Sequence, residues 1–128
     1  MGRKMTEIGR RLWAIPEGYI PSKSNGPAPE MTSHEAACIL NAGSGDAAVE
    51  VTVFFADRAP AGPYKVTVPA ERTVHLRFND LDDPEPIPRD TPYASVIRSN
   101  RPVVVQHTRL DSRQADNALM TTIAFGAD

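Results

Sequence analysis

Apolar and polar positions alternate along most of this chain. In "AVEVTVFF" (48–55), Val49, Val51, Val53 and Phe55 face away from Glu50, Thr52 and Phe54, the two-residue period of a half-buried strand. "TVHLRFND" (73–80) puts Val74, Leu76 and Phe78 on one face and His75, Arg77 and Asn79 on the other. "PVVVQHTRL" (102–110) opens on three β-branched residues, Val103 to Val105. It then places His107 and Arg109 at alternate positions, with Asp111 next in the row, so all three point to one side of an extended chain. Further strands are predicted at "RLWAI" (11–15, stopped by Pro16), "HEAACILN" (34–41), "YKVTV" (64–68), "YASVIRS" (93–99) and "LMTTIAF" (119–125). "YKVTV" returns as the hairpin partner of 48–55 across the turn at 56–63. The segments 17–33 and 80–92 are rich in proline and read as loops, the second with polyproline character. Only "SRQADNA" (112–118) has the makings of a helical turn. Eight short strands separated by turn residues predict an antiparallel β-sandwich of a single domain over 11–128, with 1–10 as a flexible tail. Val49, Val51, Val53, Leu76, Phe78, Val103 and Val105 are its expected core.

Composition narrows the partners. The net charge is −2 over 128 residues. Arg3, Lys4, Arg10 and Arg11 against Glu7 make the first eleven residues net +3, which leaves −5 on the remainder. A body of that sign repels phosphate backbones, so nucleic acid is disfavoured as a partner. The lone cysteine, Cys38, rules out an internal disulfide and fits a reducing, cytoplasmic setting, where it reads as a buried inert thiol. No apolar run approaches the ~20 residues of a spanning helix, and the N-terminus lacks a signal peptide's apolar stretch. "MGRKMT" matches the myristoylation pattern through Gly2 and Thr6, but six loosely specified positions match often by chance, and the segment reads as tail.

The polar rows carry the candidate chemistry. Two strands present His two residues before Arg, each followed by amide or acidic groups. As a solvated rim they would make pairs such as Arg109–Asp111 and Arg77–Asp80, worth ~0–1 kcal/mol each. As neighbouring strands of one sheet they would form a single cluster, His75, Arg77, His107 and Arg109, suited to a polyhydroxylated or anionic small molecule. His34 beside Glu35 raises the thought of a zinc site with the other histidines, but no metal-like spacing supports it, and no metal is expected. The acidic loop at Asp80, Asp82, Asp83 and Glu85 lacks the ligand rhythm of a calcium site. Trp13 is expected in the core or an interface. Phosphate-loop, dinucleotide and nucleophile-elbow motifs are absent, and no cofactor is expected.

"WAIPEGYIP", "TSHEAACILN", "GPYKVTVPAERTVHLRFNDL", "PIPRDTPYASVI" and "PVVVQHTRLDSRQA" together resemble the sensory rhodopsin transducer family, in order, over roughly residues 9–125. The resemblance implies a cytosolic β-sandwich assembled as a homotetramer, with a membrane photoreceptor as a partner and a small, sugar-like molecule as a ligand. It also implies a candidate site drawn from Glu17, His34, Glu35, Asn41, His75, Arg77, Asn79, His107, Arg109 and Asp111. Exposed sheet edges independently favour closed assembly. On these grounds a non-enzymatic ligand-binding adaptor is the leading expectation. A histidine-centred enzyme and a DNA-associated regulator are its alternatives. Whether the polar rows form a pocket or a subunit contact stays open at this point.

Overall fold

A computed structural model describes residues 7–128, which fold almost wholly as antiparallel β-structure. The strands are β1 (Arg10–Gly18), β2 (His34–Asn41), β3 (Ala47–Phe55), β4 (Ala61–Val68), β5 (Arg72–Arg77), β6 (Tyr93–Asp111), β7 (Ala118–Ile123) and β8 (Phe125–Ala127), with one 3-10 turn at Phe78–Asp80. The remaining expected tail and the Gly2/Thr6 pattern lie outside the described residues.

β6 organises the molecule. It is 19 residues long and serves two sets of neighbours. From Tyr93 to Ser99 it lies between β1 and β3. From Val104 to Leu110 it pairs with β2, and from Gln106 onward with β7 on its other side. The strand orders are therefore β4-β3-β6-β1-β8 and β5-β2-β6-β7, joined through one shared strand. Their inner faces merge in one buried cluster, with Val49, Val51, Val53 and Ile97 from the first set and Ala37, Ile39 and Val105 from the second. Each valine or isoleucine among them, fully withdrawn from water, contributes roughly 1.5–3 kcal/mol.

The sequence predicts eight strands and eight are present among the described residues, but the boundaries differ in instructive ways. The expected strands at 93–99 and 102–110 are one strand. Pro102, which has no N–H to give a ladder, falls where β6 leaves one set of partners for the other, so the ring costs no pairing there. Conversely, 119–125 divides in two. β7 pairs with β6 and β8 with β1, and Ala124 bridges them with its N–H donated to the Val105 carbonyl at 3.0 Å. Pro16 does not end β1, because it falls in an irregularity between the Ile15–Ser95 and Gly18–Tyr93 pairs. β4 likewise starts at Ala61, before Gly62 and Pro63, which occupy the irregularity opposite Val51–Val53. Residues 113–116 form bends rather than a helical turn, and Ala118 already belongs to β7.

Val49, Val51, Val53, Phe78, Val103 and Val105 are buried as expected, whereas Leu76 is only half-buried. Trp13 is a core residue whose Nε1–H donates to the carbonyls of Arg10 and Val103. Cys38 differs from expectation: it lies on the outer face of β2 and is half-exposed, with burial still enough to push its thiol pKa up.

Candidate functional site

A buried carboxylate stands at the centre. β2 runs between β5 and β6, and its register sets Glu35 opposite Arg109 and Ala37 opposite His107. Glu35 and His107 therefore share the inner face with Ile39 and Val105, deep in a largely apolar layer. Glu35 is completely buried. Its Oε1 is hydrogen-bonded to His107 Nε2. Its Oε2 accepts from Arg109 Nε at 2.5 Å and from the backbone N–H of Tyr19 at 3.0 Å. The Glu35 N–H in turn donates to Asn79 Oδ1 at 3.3 Å, and Asn79 Nδ2 donates to the Ser33 carbonyl. A carboxylate in an apolar interior needs this many donors to stay there.

Arg109 links the centre to the surface. Burial works against its charge, but the bond and the charge of Glu35, aided by Glu17, prevail and hold its pKa above the ordinary value. Glu17 Oε2 lies 3.6 Å from Arg109 Nη2, a distance at which charges attract but no hydrogen bond forms. Two hydroxyls from the N-terminal half of β6, Tyr93 Oη and Ser95 Oγ, are buried and, like Arg109 Nη2, without a hydrogen-bond partner, and the charges of Glu35 and Arg109 act on the Tyr93 phenol. The Tyr93 ring lies against Gly18, where an added Cβ would come within 2.5 Å of ring carbons. It also stands tilted against Phe78, with centroids 6.0 Å apart.

The structure brings together Glu17, Glu35, His107 and Arg109, with Asn79 holding the backbone behind them. It does not bring the two His–Arg rows into one cluster. β2 intervenes, and the register pairs Cys38 with His75 but Ala37 with His107, so His75 is on the outer face while His107 faces in. Arg77 also leaves the group, donating to the carbonyls of Pro29 and Thr32. The His34 ring bonds the Thr32 carbonyl. Asn41 ties a turn together through the carbonyls of Gly45, Val68 and Pro69 and the N–H of Gly43. Asp111 is gripped by Arg113, not Arg109, and that bond holds its carboxyl below the usual range. The rim pairs Arg109–Asp111 and Arg77–Asp80 are replaced by these bonds. Tyr93 is the neighbour that sequence reasoning passed over, together with Ser95, the second buried, unpartnered hydroxyl of the same strand. Their signal is the alternation Tyr93, Ser95, Ile97 in "YASVI", two hydroxyls in a row that ends in the core.

Burial, reinforced by the Glu35 charge, pushes the Tyr93 phenol far above its ordinary pKa. Below about pH 10 the phenol is neutral in both folded and unfolded chains. Above that, the unfolded chain ionises while the folded one resists, so stability falls by up to ~1.4 kcal/mol per pH unit on this account. Tyr93→Phe is expected to flatten the alkaline limb by that slope. Urea unfolding between pH 9 and pH 11 checks it, and an unchanged limb would assign the loss to other groups.

Comparison with known proteins gives a consistent result. A family model described as Anabaena sensory rhodopsin transducer matches residues 8–126. A solved structure from Anabaena, the sensory rhodopsin transducer, is 64% identical, covering 80% of this chain and 98% of its own, with a TM-score of 0.74. A crystal structure of Thermotoga maritima 1070 is 37% identical, covering 93% and 96%, with a TM-score of 0.83. Among curated proteins, none matches the chain by sequence.

Proposed function

Since the chain belongs to the Anabaena sensory rhodopsin transducer family, we propose that it is a non-enzymatic, cytoplasmic signalling adaptor. In this reading it assembles as a homotetramer, couples to a membrane photoreceptor, and takes a small molecule at the Glu35–His107–Arg109 centre. The family match across nearly the whole described chain carries the adaptor role. The name of the Anabaena relative supports the photoreceptor partner. The adaptor reading is also consistent with the chemistry of the centre. Both Glu35 oxygens are occupied and one His107 nitrogen is turned to Glu35, so the carboxylate works as an anchor for its neighbours. Assembly is supported by Leu119, Ile123 and Phe125, each more than three-fifths exposed on β7 and β8, a cost in water that subunit contact removes. Among the described residues no helix is long and apolar enough to cross a membrane.

The test pairs melting with mass. A panel of sugars, nucleotides and organic acids is expected to contain a compound that stabilises the chain, by ~2.7 kcal/mol at a hundred times its dissociation constant. Arg109→Ala is expected to abolish that response while the fold survives. Light scattering is expected to give four times the 13.9 kDa chain mass. A monomer that no panel member stabilises, and that does not sediment with rhodopsin-bearing vesicles, would overturn the reading.

A further inference from the structure

We propose that Arg109, freed from Glu17, binds the carboxylate of a small apolar acid whose body fills the cleft beside Tyr93. The proposal rests on the small-molecule reading above and names the ligand's chemistry. The first argument is one of vacant and occupied partners. Glu35 is already engaged, because His107, Arg109 Nε and the Tyr19 N–H bond its two oxygens, and as a carboxylate it only accepts. What remains unpartnered is Arg109 Nη2, Tyr93 Oη and Ser95 Oγ, all buried. Guanidinium nitrogen only donates, and the hydroxyls also have a proton to give. An unpaired set of this kind calls for an acceptor, and an anion serves a guanidinium best.

The second argument is where that acceptor enters. A cleft of about 390 Å³ is lined by Pro16, Glu17, Phe54, Phe55, Pro92 and Tyr93, among others. The volume is within the range of small-molecule sites. Its walls are two prolines and three aromatic rings, poorly suited to a polyol and well suited to an aromatic or branched apolar group. Glu17 joins the cleft to the centre: it lines the one and points a carboxylate oxygen at Arg109 Nη2 from 3.6 Å. With its side chain 68% exposed, Glu17 has water as an alternative partner and yields readily. It is an internal carboxylate standing where a ligand's carboxylate would make the shorter bond.

Phenylacetate, with phenylacetamide as its uncharged counterpart and glucose as a polyol control, tests this by titration calorimetry on the full chain. Phenylacetate is expected to bind, with the amide weaker on the order of ten-fold, the loss of one charge-assisted bond. Glu17→Gln is expected to tighten phenylacetate several-fold by removing the competitor. Phe54→Glu, at a 41% exposed position that leaves the fold intact, is expected to abolish binding. Equal affinity for acid and amide, or weakening by Glu17→Gln, would overturn the carboxylate assignment. Binding of glucose alone would overturn it too, while leaving the small-molecule reading standing. Silence from all three probes overturns the proposal, and the wider panel then decides the reading beneath it.

Discussion

Glu35→Ala is expected to cost about 3–5 kcal/mol of stability, the range for removing one partner from a buried ionic group. The variant leaves Arg109 Nε, His107 Nε2 and the Tyr19 N–H facing a cavity where a carboxylate was. His107 has no escape, being 5% exposed at the side chain. Arg109, at 24%, partly recovers by turning toward Glu17 and water, which sets the expectation at the lower end of the range. Apolar replacement of Glu35, His107 and Arg109 together is expected to restore most of the loss, since no charge is then stranded. Urea unfolding of the single and triple variants measures both. A loss below about 1 kcal/mol for Glu35→Ala would mean that water already reaches the carboxylate.

This contrast bears on why the chain retains a charge cluster inside a β-core. If stability were its purpose, three apolar residues would do as well. The cluster instead holds the Arg109 guanidinium from behind, 3.6 Å from Glu17, a residue that lines the apolar cleft. Glu35 orients Arg109, Asn79 holds the Glu35 backbone, and Ser33 holds Asn79. Each layer is a side chain bonding the one in front, the arrangement that keeps a binding group in place.

The strands were legible wherever side chains alternate, as at β3, because a half-buried strand writes its burial into every second residue. Prolines misled, since Pro16 and Pro102 signal a break to any local reading. Only the pairing pattern shows that both fall where a ladder is already interrupted. The candidate site was legible in its residue types. Its geometry was not, because His75 and His107 are alike in local pattern and differ by one step of register across β2. One step reverses the face, and no property of either strand alone records it. Tyr93 and Ser95 were hidden for a related reason: that their hydroxyls are buried without a partner is a property of the assembled interior.

Phe78→Ala is expected to cost about 3–5 kcal/mol, the usual range for deleting a buried phenyl ring, and to weaken the polar centre as well. Phe78 is 1% exposed, at the start of the 3-10 turn that follows β5. The turn closes through the Leu81 N–H on the Phe78 carbonyl at 3.1 Å. Its next residue is Asn79, the one that accepts from the Glu35 N–H. Phe78 also packs its ring against Tyr93 at 55° between planes, a contact worth ~0.5–1.5 kcal/mol beyond burial. Deleting the ring therefore loosens the turn behind Glu35 and removes a wall from Tyr93 in a single change. Leucine at position 78 separates these effects, because it fills most of the volume and keeps the turn while losing the ring contact. Phe78→Leu, Tyr93→Leu and the double variant form a cycle whose coupling is expected at ~0.5–1.5 kcal/mol. Coupling near zero would show that Phe78 supports the site through Asn79 alone. Phenylacetate affinity then reads the remaining step: a drop in Phe78→Leu matching that coupling ties the Tyr93 ring to the cleft.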